Sequence, residues 1–296
     1  RKTIAFNLAQ SDLNHLGLPE NHKHHLVYEG ASGAGKNHAV SKKAFDDKSQ
    51  EIFNKYKEIF GDKIDRILIC VGVGGGTGGG SVMSLLDTAK RYFAYIGVEN
   101  PSERVGVIAS LPTTGECASP VVAENSYNRM TELCEAAENN QFAPLVIIDN
   151  DKIKKLYPRL TVKQFWPTLN NTVAGLFHIF NLLCTKNSDY TVFDPADYDS
   201  IMKTAGCMIF GATTIKDPES PTSVSQGLRN NLEKTLLASG FEYGFDTLAT
   251  LTGGAIIHRG IYEDPEREKL VAYTIVGGLK SPKKRIEELK KFLKLK

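Results

Sequence analysis

Seven glycines fill the nine positions 72–80 of the run Gly72-Val73-Gly74-Gly75-Gly76-Thr77-Gly78-Gly79-Gly80-Ser81. An ordered turn needs one or two, and each further glycine costs conformational entropy, so a plain flexible turn is the weaker reading. Bare backbone N–H groups can close on an anion, and a helix beginning there adds the positive end of its dipole, so the expected chemistry is phosphate binding. Gly74, Gly76 and Gly79 satisfy G-x-G-x-x-G. A dinucleotide site also needs an acid at the end of the following strand, where this sequence has Pro112 and Thr113. Upstream, Gly30-Ala31-Ser32-Gly33-Ala34-Gly35-Lys36-Asn37 approaches the P-loop pattern, with Asn37 where a magnesium-binding Ser or Thr would stand, and reads as a second phosphate-facing loop.

Other residue types suggest chemistry and also have plainer explanations. Asp194 and Asp197 flank Pro195 at the spacing of an N-cap and an N3 carboxylate, an arrangement that can be complete as a helix start. Trp166 lies four residues before Asn170, so on a helix the two face one side, ring for stacking and amide for hydrogen bonding; the alternative is a core tryptophan beside Pro167. His22, His24 and His25 sit in a polar loop without a carboxylate or cysteine at ligand spacing, so no metal site is assigned. Cys70, Cys117, Cys134, Cys184 and Cys207 include no C-x-x-C pair and are expected to be buried free thiols.

The elements that must hold these residues follow from periodicity. A short strand is expected at 3–6, a helix from Ile52, Phe53, Tyr56, Ile59 and Phe60, and a buried strand over 64–73. A helix carrying Val82, Leu85, Leu86, Ala89, Tyr92, Phe93 and Ile96 follows the glycines. Then come a strand at 105–111, a helix around 124–137 and a strand at 145–148, the rhythm of a parallel sheet covered by helices. A long apolar helix over about 165–184 would reach roughly 30 Å and connect two halves. Beyond it, strands are expected at 207–215, 249–260 and 270–276, a helix near 225–238, and a last helix starting Ser281-Pro282 as cap and first residue.

The chain has 296 residues, 41% hydrophobic and 24% charged, which excludes wholesale disorder and fibrous repeats and suggests about two domains. No apolar run approaches the ~20 residues of a membrane span and no signal peptide opens the sequence, so a cytoplasmic protein is expected. The net charge of +2 conceals eight Lys or Arg in residues 280–296, while the remainder carries 28 basic against 32 acidic residues. Ile286, Leu289 and Phe292 or Leu293 give that end an inner face, leaving its lysines as a solvated one, so direct DNA binding is not expected.

Gly74–Gly80, GGGTGGG, resembles the GGGTG-[S/T/A]-G signature of the tubulin and FtsZ superfamily, with Gly79 departing at its variable position. Asn7 and Asp12 fall where the family has an Asn followed by an acid, and residues 30–36 resemble its γ-phosphate loop. Leu145-Val146-Ile147-Ile148-Asp149-Asn150-Asp151-Lys152 is similar to its I-V-I-P-N-D-K guanine segment, with Asp149 replacing proline. Phe193-Asp194-Pro195-Ala196-Asp197-Tyr198 resembles its acidic loop. The stretches from Pro112 to Glu116 and from Gly277 to Arg285 look most like the TubZ branch of plasmids and phages. The family's first strand and diphosphate loop would precede Arg1.

The resemblance implies an α/β fold: a doubly wound, mostly parallel GTP-binding domain (1–163), a central connecting helix (164–186), a smaller α+β domain (187–280) and a basic C-terminal helix (281–296). It implies a GTPase that turns GTP into GDP and phosphate, with Mg2+, and assembles head to tail. Gly74, Gly75, Gly76, Thr77, Gly78 and Gly79 would hold phosphates with Asn7, and Gly33, Ala34 and Gly35 would sense the γ-phosphate. Glu116 would contact ribose, and Asn150 with Asn170, or Asn171 in its place, would read guanine beside Trp166, because an amide offers donor and acceptor side by side. Asp194 and Asp197 would complete the neighbouring subunit's site as catalytic acids. The partners implied are further copies of the chain and a DNA-binding adaptor of the TubR type, in plasmid or phage DNA segregation, without membrane contact. The alternatives are a cell-division FtsZ, marked by a C-terminal linker and adaptor peptide not seen here, and, in other classes, a dinucleotide-dependent enzyme or a non-catalytic nucleotide-binding scaffold.

Overall fold

Two three-residue strands, β1 (Ala5–Asn7) and β2 (Lys23–His25), pair in parallel with Ala5 opposite Lys23, joined through the short helix α1 (Gln10–Asn14). The computed structural model describes residues 2–29, 32–185, 193–242, 255–264 and 269–294. Gly30 and Ala31 of the second glycine loop and 249–254 of an expected strand lie outside the described residues. So do 186–192, where the connecting helix was expected to end and the next domain to begin.

After α2 (His38–Asp47) and α3 (Ser49–Phe60), strands and helices alternate: β3 (Ile67–Gly72), α4 (Gly76–Tyr95), β4 (Val105–Leu111), α5 (Pro120–Glu138), β5 (Leu145–Asp149) and α6 (Asn150–Leu156). The long helix α7 (Val162–Leu183), α8 (Pro195–Lys203), β6 (Cys207–Thr214), α9 (Pro221–Ala238), the strands β7 (Ile256–Asp264) and β8 (Lys269–Leu279), and α10 (Lys283–Lys291) complete the order. The larger sheet runs β3-β4-β5-β6-β8-β7, with β3 through β6 parallel and β8 and β7 antiparallel to their neighbours. This is the mixed, mostly parallel α/β sheet expected. The two halves share it, because Leu145 pairs with Cys207 and Val146 with Met208.

Alternation along each strand divides the apolar side chains between two faces. Val107, Ala109, Leu145, Ile147 and Ile209 join α2 to α5 in the larger core, with Phe45, Tyr92 and Phe93 fully buried. Val146, Met208 and Phe210 face the other way, under α7 and α8, where Phe180 stacks on Phe210 at 5.4 Å and on Tyr198 at 5.0 Å. Gly106 has a packing reason: a Cβ there would lie 2.6 Å from Pro144 Cδ and 2.8 Å from Leu68 Cδ2.

Several local expectations change. His24 and His25 lie in β2 rather than in a polar loop; His24 Nε2 meets Glu51 Oε1 at 2.7 Å, and His25 Nε2 meets the Leu8 carbonyl at 3.1 Å. The strand expected to be buried on both faces, β3, leaves Cys70 exposed at the sheet edge; Cys117, Cys134 and Cys207 are buried and Cys184 is half-buried. The last helix starts at Lys283 with Pro282 as its N-cap, one residue later than cap-then-proline logic places it, and the Ser281 N–H instead donates to Glu138 Oε1 at 2.7 Å. Among the described residues no helix is long and apolar enough to cross a membrane.

Candidate functional site

Ligand crevices in parallel α/β sheets form where the strands end, because the loops there diverge to the helices. A cavity of about 280 Å3 lies at that edge here. Gly72, Gly74 and Gly75 reach it from the end of β3, Ser110 and Pro112 from the end of β4 with Glu116 just beyond, and Asn150 from the end of β5. Lys36 and Val122 close it. The structure thus gathers Gly74, Gly75, Glu116 and Asn150, four residues singled out in the sequence and spread over 77 positions.

The helix after the glycines begins earlier than a phosphate loop over 74–80 implies. Gly75 is the N-cap of α4, makes no side-chain cap, and leaves first-turn N–H groups of α4 free for an anion. Gly76, Gly78, Gly79 and Gly80 are already helical. Close approach explains three of them. A Cβ on Gly76 would lie 2.7 Å from Lys36 N and Cα, one on Gly79 2.5 Å from the Val73 carbonyl, and one on Gly80 2.6 Å from Ser41 Cβ. Gly78 meets nothing nearer than 3.4 Å. The glycine density serves two ends, an open helix start and the packing of α4 against the segment that runs from Lys36 into α2.

That segment is built to stay against α4. Gly33 and Gly35 have φ of +145° and +53°, and Lys36 takes φ +63°, a left-handed conformation uncommon outside glycine. Asn37 does not stand in for a magnesium-binding hydroxyl; it caps α2, its Oδ1 accepting from Ala39 N at 2.9 Å and Val40 N at 3.3 Å. Asn125 Nδ2 donates to the Lys36 carbonyl at 2.8 Å, and Ser41 Oγ donates to the Thr77 carbonyl at 2.8 Å. Burial lowers the His38 imidazole below its ordinary range, so at neutral pH it is uncharged, and its Nε2 lies 3.0 Å from the Gly75 carbonyl. Gly33, Ala34 and Gly35 do not line the cavity; among the described residues of this loop Lys36 does.

Thr77 Oγ1 donates to Asn7 Oδ1 at 3.3 Å, and Asn7 Nδ2 donates to Asp12 Oδ2 at 3.1 Å, so these family-like positions form one chain of bonds beside the glycines. Glu116 Oε2 accepts from Thr113 N at 2.8 Å and Thr113 Oγ1 at 2.9 Å. Asp151 Oδ1 accepts from Thr114 N at 2.9 Å and Thr114 Oγ1 at 2.6 Å. Burial alone would raise the Asp151 carboxyl, but the Thr114 bonds and the Lys155 ammonium at 2.9 Å outweigh it and hold it at about 2. Between these anchored neighbours, Asn150 is 5% exposed and its Oδ1 is buried without a hydrogen-bond partner. A buried acceptor left unpaired costs about 1–3 kcal/mol, a cost that a ligand donor would relieve.

Trp166 and Asn170 do not line this cavity. Phe165 and Leu169 form the inner side of α7, while Trp166 is 40% exposed, so it belongs neither to the core nor to the crevice in this conformation. Asn170 and Asn171 share the exposed side. A second cavity of about 190 Å3, lined by Val146, Leu169, Val173, Leu176 and Phe210 among others, is mainly apolar and contains none of the predicted site residues.

Asp194 and Asp197 form the expected reciprocal cap: Asp194 Oδ1 accepts from Ala196 N at 2.8 Å and Asp197 N at 2.9 Å, and Asp197 Oδ2 accepts from Asp194 N at 3.1 Å. Their helix, α8, is pinned to the other edge of the sheet. Asp199 meets Arg104 at 3.3 Å, and the Met202 carbonyl accepts from Arg66 at 2.9 Å, with each arginine one residue ahead of its strand. The cavity lies beyond the far ends of those same strands. Seven residues of β4 at ~3.3 Å each put about 23 Å between the two edges.

No protein-family model matches the chain. In sequence it is similar to the tubulin-like protein TubZ of Bacillus cereus, 25% identical over 248 residues, covering 80% of this chain and 54% of that protein. It is also 25% identical over 313 residues to the cell division protein FtsZ 2 of Methanocaldococcus jannaschii, covering 95% of this chain and 74% of that one. The chain therefore spans about half the length of the TubZ it matches. In structure it overlays a GTPγS-form protofilament subunit of Bacillus thuringiensis serovar israelensis TubZ with a TM-score of 0.74 at 20% identity, over 99% of this chain and 83% of that one. The resemblance to the tubulin and FtsZ superfamily thus holds in sequence and in fold.

Proposed function

We propose that this chain, with its tubulin/FtsZ fold, binds GTP in the cavity at the strand ends and hydrolyses it only where a second copy supplies Asp194 and Asp197. The observation that carries the proposal is that α8, the helix these aspartates cap, is held at the start of β3 and β4 while the cavity lies at the ends of those strands, and neither aspartate lines the cavity of its own chain; a head-to-tail neighbour would bring the two together. Asn150 Oδ1, buried and unpaired, suits a donor on the guanine edge. The open start of α4 and the Lys36 ammonium suit the phosphates. Among the described residues Lys36 makes no ion pair. Magnesium would arrive on the phosphates with its water shell, since among the described residues the lining offers one carboxylate, Glu116, already hydrogen-bonded to Thr113.

In this reading Gly74 and Gly75 approach the phosphates and Thr77 with Asn7 braces them. Glu116 faces the sugar, and Trp166 and Asn170 reach the base only if the start of α7 turns inward on binding. The filament serves plasmid or phage DNA segregation through a TubR-type adaptor, in keeping with the similarity to TubZ. A division role is the second reading, favoured by the match to FtsZ 2 over nearly the whole chain. Pelleting of the full-length protein with GTP, GDP and a non-hydrolysable GTP analogue tests assembly: sedimentation with GTP and the analogue but not with GDP is expected. No nucleotide-dependent sedimentation at any concentration would contradict it. Fluorescent fusions in cells separate the two roles, by filaments that move with DNA or rings at the division plane.

A further inference from the structure

Arg285 and Asp149 form a buried ion pair that neither the glycines nor the capping logic requires. Arg285 lies in α10 and is 5% exposed; Asp149, which ends β5, is fully buried. Arg285 Nε donates to Asp149 Oδ2 at 2.6 Å and its Nη2 to Asp149 Oδ1 at 3.2 Å, a two-pronged contact, with Nη2 also 3.5 Å from the Pro112 carbonyl. Gly240, at φ +82°, leaves room for it: a Cβ there would sit 3.2 Å from Arg285 Cγ and 3.4 Å from Asp149 Oδ2. Asp149 Oδ1 also accepts from the Asp151 and Lys152 N–H groups and so fixes the first turn of α6. Asn150, with its unpaired acceptor, is the residue between, and Pro112 forms the facing wall of the cavity.

Burying two charges is a poor route to stability alone, because desolvation offsets most of the attraction and apolar residues of similar size often serve as well. What the forked contact adds is geometry. It ties the end of β4, the end of β5 and a helix 136 positions further along the chain at one point. We infer that Asp149 and Arg285 are a positioning pair that aims Asn150 at the nucleotide base, so that docking of α10 sets the preference for guanine. The inference rests on the reading of the cavity as a guanine-nucleotide site. Coupling of this kind is reciprocal: if docked α10 tightens GTP binding, bound GTP tightens the docking of α10.

Two measurements on the full-length protein test it. Affinities for GTP and ATP are compared in wild type, in Arg285→Lys, which keeps the charge and loses the fork, and in a double variant, Asp149→Asn with Arg285→Gln, which removes both charges and keeps a capping side chain. Amide exchange over residues 283–291 is followed in wild type with and without GTP. Arg285→Lys should bind GTP about tenfold more weakly with ATP affinity within twofold of wild type, narrowing the ratio, and GTP should slow exchange in α10 of the wild type. A folded Arg285→Lys or double variant with an unchanged GTP-to-ATP ratio would overturn the inference. So would α10 amides indifferent to GTP in wild type, a result that needs no variant to fold. A wild type that binds ATP as well as GTP would instead remove the guanine reading beneath the inference.

Discussion

Gly78→Ala and Gly80→Ala should move stability in opposite directions, although both put one methyl group into the same helix. At Gly80 the new Cβ would stand 2.6 Å from Ser41 Cβ, 2.7 Å from the His38 carbonyl oxygen and 2.9 Å from His38 Cα. Two of these atoms are main chain of α2, which cannot swing aside as a flexible side chain can. Separating α2 from α4 costs about 1–3 kcal/mol as overpacking, against a helix-propensity gain of ~1 kcal/mol, for a net loss of up to about 2 kcal/mol. At Gly78 the nearest atom is Val71 Cβ at 3.4 Å, an ordinary contact, so the propensity gain stands alone and the variant should be unchanged or stabilised by up to ~1 kcal/mol. Urea unfolding of both variants at one temperature reads the difference. GTP affinity should follow it, since displaced α2 carries Asn37 and Lys36 with it. A Gly80→Ala protein as stable as Gly78→Ala would refute the claim that close packing, and not phosphate approach, demands the later glycines.

Asn150→Ala removes the unpaired acceptor, so it should leave the melting temperature of the nucleotide-free protein close to wild type while weakening GTP by about 1–3 kcal/mol in competition binding, with ATP far less affected. For Asp151 the folded carboxyl lies at about 2 against an ordinary 3.8, so its stabilisation is complete above pH 3.8 and is lost as pH falls toward 2. Asp151→Asn should therefore cost about 2 kcal/mol at pH 7 and progressively less below pH 3.8, read by urea unfolding at each pH. The shift of His38 is also downward, so its contribution is present above pH 6.5 and declines below it as the unfolded chain takes up the proton first. GTP affinity and stability of His38→Gln should fall less than those of wild type between pH 7 and 5.5.

Periodicity was enough for the sheet and its covering helices, since β4 coincides with the expected strand and α4, α7 and α9 differ from expectation by a few residues at their ends. Helix α2 was not legible, because its apolar face is only Ala44 and Phe45 with Ser41, and its start depends on Asn37, which motif matching reads as a defective P-loop. Strand β2 is histidine-rich and polar, and it forms because β1 lies beside it. The glycine run disclosed a phosphate site but not that Gly76 and Gly80 answer to the backbone of Lys36 and His38, 40 and 42 residues upstream, and Gly79 to the His38 ring and the Val73 carbonyl, contacts that only tertiary structure reveals. Arg285 was hidden beside the lysines read as the solvated face of a half-buried helix; the available signal was Asp149, an acid at the end of an apolar strand where the resembling motif has proline. Trp166 and Asn170 share a helix face as four-residue spacing requires, yet the same spacing cannot say which way that face turns.

GTP turnover per subunit, followed across protein concentration from dilute monomer into the assembling range, tests the split site most directly. Asp197→Ala serves as the comparison, because losing an N3 carboxylate costs the helix only about 0.3–1 kcal/mol. Wild-type turnover should rise with concentration as subunits meet, and Asp197→Ala should bind GTP and sediment normally while turning over far more slowly. Turnover per subunit that stays constant on dilution, together with full activity in Asp197→Ala, would contradict a site shared between subunits and leave Asp194 and Asp197 as helix caps alone.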